Sequence, residues 1–268
     1  MLSPDTIREL AQRLENAEVE RKNIGLFSIE FPDITIEDAY AVQRTWFDIK
    51  RVAGRKLIGR KIGLTSKAMQ YATGIDEPDY GFLLDSMLFH DGAEISKGHF
   101  IAPRIEVELA FILGKPLSGP DCTVFDVLDA TNYICPALEI LDNRLHRSDP
   151  ATKRGRTVKD TISDNASNAG IVLGGRPFKP SDPVDLRWVS ALCYRNSSLE
   201  ESGVAAAVLN NPVNGVAWLA NKLAPFGDVL QPGEIILSGS FVRPIEAYPG
   251  STIFADYGPL GTISCYFN

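Results

Sequence analysis

The stretch Arg104-Ile105-Glu106-Val107-Glu108-Leu109-Ala110-Phe111-Ile112-Leu113 has the apolar, β-branched make-up of a strand, yet it carries two carboxylates two positions apart. Side chains two apart in a strand share a face, so Glu106 and Glu108 project side by side. Residues Leu109 to Leu113 are apolar on both faces, as in a central strand; the alternative is a half-exposed edge strand with its carboxylates in water. Like charges held this close repel, and burying them is costly unless a cation lies between them. A second apolar run, Pro136-Ala137-Leu138-Glu139-Ile140-Leu141, carries a lone Glu in the same setting. Three carboxylates from two apolar strands point to a hard divalent cation, Mg²⁺ or Mn²⁺, with open positions for a substrate.

Outward from this pair, short β-like runs separated by Gly, Pro and Asp fill the chain from residue 56. The pattern predicts strands near 57–63, 83–89, 93–96, 104–113, 136–141, 170–173, 184–195, 234–238, 252–256 and 261–267. Helices are predicted after Thr123, running to about Asn132, and after Asn211, with Pro212 as first residue and an end near Leu223. The amino-terminal part is different. Ser3 and Pro4 start a helix with the stripe Ile7, Leu10, Ala11 and Leu14. Thr35 and Asp38 fit a capping box for a second helix, with the stripe Ala39, Val42, Trp46, Ile49 and Ala53 and a stop at Gly54. The expected class is therefore α+β, mainly β: a helical region over 1–55 packed on a mixed or antiparallel β-rich core over 56–268.

The chain has 268 residues, 44% hydrophobic and 23% charged, which is ordinary globular composition. A formal net charge of -7 argues against a nucleic-acid or anionic-membrane partner. The start, Met1-Leu2-Ser3-Pro4-Asp5, lacks the basic and apolar regions of a signal peptide, and no apolar run has the ~20 residues that span a bilayer. Cys122, Cys135, Cys193 and Cys265 are scattered without CxxC spacing and read as reduced core thiols, so a cytoplasmic location is expected. There is no GxGxxG, Walker A loop, HExxH or GxSxG elbow, which leaves nucleotide enzymes, zinc peptidases and serine hydrolases without support.

Four further segments bear on chemistry. In Gly59-Arg60-Lys61-Ile62-Gly63-Leu64-Thr65-Ser66, a Lys between glycines on a strand leading into a loop is placed to approach a ligand, or is a surface Lys beside turn glycines. Glu77-Pro78-Asp79-Tyr80-Gly81 either brings an acid into the same cleft or is a turn with Pro at its second position. Asp160 through Gly170 is dense in small hydrogen-bonding residues and fits an ordered loop lining a polar pocket, or a series of Asx turns. Just upstream, Arg144, Arg147, Lys153, Arg154, Arg156 and Lys159 form a basic stretch, either drawn over a di-anionic substrate or solvated as a loop. His90 and His99 are lone residues with no role assigned.

These segments together resemble the hydratase and decarboxylase branch of the fumarylacetoacetate hydrolase superfamily. The matching residues are Lys61 to Ser66, Glu77 to Gly81, Pro103 to Phe111, Pro136 to Glu139, Asp160 to Ala166, Asn214-Gly215-Val216-Ala217-Trp218-Leu219-Ala220-Asn221-Lys222-Leu223, and Gly239-Ser240-Phe241 with Arg243-Pro244. They keep their order over nearly the whole chain. The resemblance implies a fumarylacetoacetate-hydrolase-like mixed β core and a Mg²⁺ or Mn²⁺ held by Glu106, Glu108 and Glu139. It also implies Lys61 and Asp79 as catalytic residues, and Ser163, Asp164 and Asn165 at the substrate. One departure stands out: Arg60 replaces a His common before this Lys, and it would make the site more cationic.

The implied activity is a divalent-metal-dependent hydro-lyase of aromatic-compound catabolism, adding water to 2-oxohept-4-ene-1,7-dioate to give 4-hydroxy-2-oxoheptane-1,7-dioate. Within the family, hydration of 2-hydroxypenta-2,4-dienoate or decarboxylation of the 4-oxalocrotonate type are the alternatives. A catalytically silent partner subunit is the alternative of another class, against which the joint presence of Lys61 and three Glu residues counts. The expected partners are a small unsaturated 2-oxo acid and further copies of this chain in a homo-oligomer.

Overall fold

The computed structural model describes residues 1–67, 70, 71 and 75–268. Ser3 accepts a hydrogen bond from the Thr6 N–H, with Pro4 behind it, and starts helix α1 (Pro4–Glu20). A short helix α2 (Phe27–Glu30) comes next. Thr35 and Asp38 cap each other's backbone N–H groups and start α3 (Ile36–Val52), as the capping-box pattern predicts. Leu10 and Leu14 of α1, Val42 and Trp46 of α3, the sheet residues Phe82 and Leu84, and Met87 of the turn after them bury one another in a single cluster. The helical layer is thus packed on the sheet by its apolar stripes.

The larger sheet has eight strands: β1 (Leu57–Gly63), β2 (Asp79–Leu84), β3 (Leu88–His90), β5 (Arg104–Leu113), β6 (Thr131–Leu141), β7 (Asn168–Leu173), β10 (Ile235–Leu237) and β11 (Ile245–Glu246). Their order is β2-β1-β10-β5-β6-β7-β3, with β11 also pairing β5. A second, five-stranded sheet runs β4-β13-β12-β8-β9 (Ala93–Ile95, Thr262–Phe267, Ser251–Asp256, Ser190–Arg195, Ser198–Val204). The pairs β1–β10, β3–β7 and β4–β13 are parallel and the others antiparallel, so the core is mixed. Strand β5 is central, between β10 and β6, and its odd-numbered residues Ile105, Val107, Leu109 and Phe111 are fully buried in the main core. Its even-numbered side carries the charges, then Ala110 and Ile112 in a smaller cluster with Leu83, Cys135, Ala137, Ile171, Ile235 and Leu237.

Three further helices are α4 (Val124–Ala130), α5 (Val158–Ser163) and α6 (Pro212–Leu223). Helix α5 lies where the sequence reads as a loop; Thr157 and Asp160 form a capping box that starts it. The predicted strand at 83–89 divides into β2 and β3 around a turn, where Asp85 accepts from the N–H groups of Lys56 and Ser86. The run at 184–195 is extended only from Ser190, and its hairpin partner β9 escapes the pattern because Ser198-Leu199-Glu200-Glu201 is an exposed, polar edge. All four cysteines are buried and free. No helix among the described residues is long and apolar enough to cross a membrane.

At its start the basic stretch is not a solvated loop. Arg144 is 1% exposed and its Nε donates to Asp164 Oδ1 at 2.6 Å, while Nη2 donates to the carbonyls of Asp164 (2.8 Å) and Asn168 (3.1 Å). Asp164 Oδ2 accepts from the backbone N–H groups of Arg144 (2.9 Å) and Leu145 (3.2 Å). The guanidinium carbon also stands 5.0 Å from the Trp46 ring centroid of α3, so this pair joins the helical layer to the turn before β7. A buried pair of this kind is costly to break from one side, because a bare charge remains. Asp164→Ala is expected to lower the unfolding free energy by roughly 3–5 kcal/mol in urea titration. A loss below about 1 kcal/mol would show that the pair does not hold this junction.

Candidate active site

Register alone decides which side chains meet. Across β1 and β2, Gly63 faces Asp79 and Lys61 faces Gly81; across β1 and β10, Lys61 faces Leu237. Leu237 faces Ala110 across β10 and β5, and Glu106 faces Glu139 across β5 and β6. Paired residues share a face and alternate residues return to it, so Asp79, Lys61, Glu108, Glu106 and Glu139 all project from one side of the sheet. Arg60 has the opposite parity. Its guanidinium sits 3.8 Å from Asp228 and 3.9 Å from Glu234, away from Lys61, so it does not add charge to the site as its neighbouring position in sequence implies.

The three glutamates offer ligand oxygens that all lie within 4.8 Å of one another. Glu108 and Glu139 are fully buried and Glu106 half-buried. Each of the two buried carboxylates is anchored through one oxygen. Glu108 Oε2 accepts from the Gly239 N–H at 2.8 Å, and Glu139 Oε1 accepts from Asn168 Nδ2 at 2.8 Å. Their other oxygens, Glu108 Oε1 and Glu139 Oε2, are buried without a hydrogen-bond partner. Burial, then the Glu139 charge, pushes the Glu106 carboxyl up to about 8 and Glu108 well above the usual carboxylate range. Bare, aimed oxygens that resist ionisation on their own are what a divalent cation would satisfy, so this donor set of hard oxygens fits one.

Lys61 is 3% exposed; its Nζ stands 3.2 Å from Glu139 Oε1 and donates to the Ala166 carbonyl at 3.1 Å. Burial alone would lower its pKa, but Glu139, Asp79, Glu106 and Glu108 outweigh burial and keep the ammonium charged. Asp79 opens β2 instead of lying in a turn, is 2% exposed, and has neither carboxyl oxygen hydrogen-bonded. Burial raises its pKa against the pull of Lys61. Gly63 makes this approach possible: a Cβ there would collide with Asp79 Oδ1 and come 3.1 Å from Lys61 Nζ. Glu77, two residues before Asp79, lies elsewhere, paired with Lys222 at 2.8 Å.

The turn over the site, Asn165-Ala166-Ser167, holds three successive residues at positive φ (53°, 49° and 62°). Asn165 clamps β2 like an added strand, Oδ1 accepting from the Phe82 N–H (2.8 Å) and Nδ2 donating to its carbonyl (3.0 Å). Gly81 admits the turn, since a Cβ there would come 2.6 Å from the Asn165 carbonyl oxygen. The side chains of Asp164 and Asn165 are thus engaged within the fold, while Ser163 keeps a buried hydroxyl without a partner. The turn reaches Lys61 through the Ala166 backbone carbonyl, which no side-chain pattern marks.

Two supporting residues escape the sequence reading. Asn168 lies within the polar segment 160–170 but looks there like one more turn former. Tyr257 carries no local signal; its hydroxyl bridges the carbonyls of Glu108 (2.9 Å) and Ala137 (2.8 Å), more than a hundred residues away in each case.

No family model matches the chain. The chain is 61% identical over 267 residues to the 2-oxo-hept-4-ene-1,7-dioate hydratase of Escherichia coli, covering 100% of both. It superposes on the 4-oxalocrotonate decarboxylase from Pseudomonas putida G7, complexed with magnesium and adipate, with a TM-score of 0.94 at 35% identity, covering 100% of this chain and 99% of that one. The fumarylpyruvate hydrolase from Pseudomonas aeruginosa, in complex with Mn²⁺ and pyruvate, shares the fold at a TM-score of 0.61 and 12% identity, over 79% of this chain and 89% of that one.

If the glutamates hold a divalent cation, Mg²⁺ or Mn²⁺ at a hundredfold excess over its Kd is expected to stabilise the protein by about 2.7 kcal/mol, read as a rise in melting temperature. In Glu106→Gln the metal-free protein should melt no lower, since a neutral amide replaces a carboxyl whose ionisation is disfavoured beside Glu139, while the metal-dependent rise should vanish. An undiminished rise in this variant would remove Glu106 from the ligand set.

Proposed function

The chain belongs to the hydratase and decarboxylase branch of the fumarylacetoacetate hydrolase superfamily, and on that footing we propose how its own residues hydrate an unsaturated 2-oxo acid. The substrate is 2-oxohept-4-ene-1,7-dioate and the product 4-hydroxy-2-oxoheptane-1,7-dioate. The single observation that carries this reading is the 61% identity over the full length to a hydratase of that substrate, set on a buried face that gathers Lys61, Asp79 and three glutamates.

Glu106, Glu108 and Glu139 hold the cation, for which Mg²⁺ is our assignment and Mn²⁺ the alternative. When bound there it supplies Lewis-acid stabilisation of charge on the substrate carboxylate and 2-oxo oxygen. Lys61 has three N–H donors, of which Glu139 and Ala166 take two; the third serves a substrate oxygen as charge grows on it. Asp79, with both oxygens bare beside Lys61, receives the proton that leaves C3 and returns it at C5, bringing the double bond into conjugation with the ketone. Water then adds at C4, its released proton passing to the emptied Asp79 carboxylate, which delivers it to C3. Asp164 and Asn165 act as positioning residues, through the Arg144 pair and the Phe82 clamp, and the free Ser163 hydroxyl is our candidate for a direct substrate contact.

The buried, unpaired cysteines support a reducing, cytoplasmic setting. We assign self-association to the outer face of the second sheet, where Leu192 and Leu199 are 38% and 53% exposed and share a side with Tyr194. Leu199→Glu is expected to reduce the mass measured by light scattering; an unchanged mass would place the interface elsewhere.

With the dienol form of 2-oxohept-4-ene-1,7-dioate and Mg²⁺, ultraviolet absorbance should fall without CO₂ release. Lys61→Met should cut kcat by about 10²- to 10⁴-fold with the metal-dependent melting shift still present. Release of CO₂ from 4-oxalocrotonate, without hydration of the seven-carbon diacid, would instead establish the decarboxylase reaction, and no turnover of any 2-oxo-enoate would favour a silent partner subunit.

A further inference from the structure

Beyond the carboxylates, the polar side of β5 ends in a cation. Arg104 shares a face with Glu106, one two-residue step or about 7 Å along the strand, and stands opposite Leu141. It is half-buried, and its Nε is buried without a hydrogen-bond partner. The acid facing it across the β11–β5 pairing, Glu246, is taken by Arg147 at 2.6 Å. The Arg147 carbonyl in turn accepts from the Arg156 N–H at 3.0 Å, which brings Arg156 to the same end of the strand.

Arg156 repeats the pattern. Its Nη1 donates to Asn143 Oδ1 and its Nη2 to Asp164 Oδ2 at 3.4 Å, yet its Nε is also buried without a partner. Asn143 Nδ2 completes a set of three buried donors left without acceptors. Buried donors are ordinarily paired, and guanidinium groups left open in one neighbourhood have the chemistry of a carboxylate receptor.

The glutamate cluster serves the 2-oxo-acid end of a substrate and leaves the other end to be recognised. We propose that Arg104, with Arg156 and Asn143 beside it, receives the far carboxylate of a seven-carbon diacid and so sets the preference for diacid over mono-acid. This rests on the 2-oxo-acid reading of the site and assigns its distal subsite. An extended seven-carbon diacid is comparable in length to the one-step separation of Arg104 from Glu106 along β5.

The test compares 2-oxoheptanedioate with 2-oxoheptanoate as competitive inhibitors of the Mg²⁺-loaded enzyme; they differ only in the far carboxylate. The full chain should bind the diacid about 10- to 100-fold more tightly, the value of charged hydrogen bonds at a buried site. In Arg104→Gln this ratio should fall towards one, and Arg104→Lys should keep part of it, since a point charge replaces the fork. The lysine variant carries the test if the glutamine variant does not fold. A ratio near one in the unmodified enzyme, or an equal loss for both inhibitors in the Arg104 variants, would overturn the assignment. If neither compound binds the unmodified enzyme, the 2-oxo-acid reading itself fails, which is a different result from a lost ratio.

Discussion

Three carboxylates on one buried face of a sheet are the constraint around which this molecule is arranged. Glu106 and Glu139 are direct cross-strand partners, and Glu108 lies one step along the same strand. Like charges in that position destabilise a ladder, and burial strengthens the repulsion. The fold answers only partly. One ammonium, Lys61, meets Glu139; one amide, Asn168, and one backbone N–H, Gly239, hold single oxygens. With Asp79 also facing Lys61, four carboxyl groups surround one fixed positive charge, and the remainder is left for a divalent ion. The site is stable as a binding device because its balance is incomplete without a ligand.

The second requirement is rigidity above that face. The Asn165–Ser167 turn adopts a left-handed course at three successive non-glycine residues, a conformation that survives only when its surroundings over-determine it. They do so from two sides. Arg144 and Asp164 fix its entry through a buried ion pair and backbone contacts, while Asn165 clamps the β2 backbone at Phe82. The amino-terminal helices take part in this: the Gln43 amide donates to the carbonyls of both Tyr80 and Ile162, at 2.9 Å each, joining α3 to β2 and α5. Residues distant from any chemistry thereby hold the Ala166 carbonyl against Lys61.

The near-complete superposition on a decarboxylase at 35% identity, beside full-length identity of 61% to a hydratase, has a physical meaning. A face that stabilises negative charge on a 2-oxo acid serves either reaction, because both pass through charge at the same oxygen. The choice between them depends on the groups around the rest of the carbon chain. Discrimination among substrates and products then belongs to side chains away from the glutamates, which is why the unpartnered donors of Arg104 and Arg156 matter more to specificity than their distance from the reacting carbons suggests.

Much of this was legible in the residues themselves. Period-two alternation fixes which face a strand side chain takes, so Glu106 and Glu108 had to lie together, and apolar flanks placed their strand centrally. Cap chemistry at Ser3, Thr35, Thr123 and Asn211 is local and marked its helices directly. The meeting of β1, β2, β5 and β6 is not local. Asp79, Lys61 and Glu139 share a face with the pair only through the register of five strands, β10 included, and the opposite orientation of Arg60 comes from that same register. Tyr257, Asn168 and the engaged side chains of Asp164 and Asn165 were decided by contacts across long separations in the chain. Alternation tells which side of a strand a residue occupies; only the packed sheet tells which residues stand across from it.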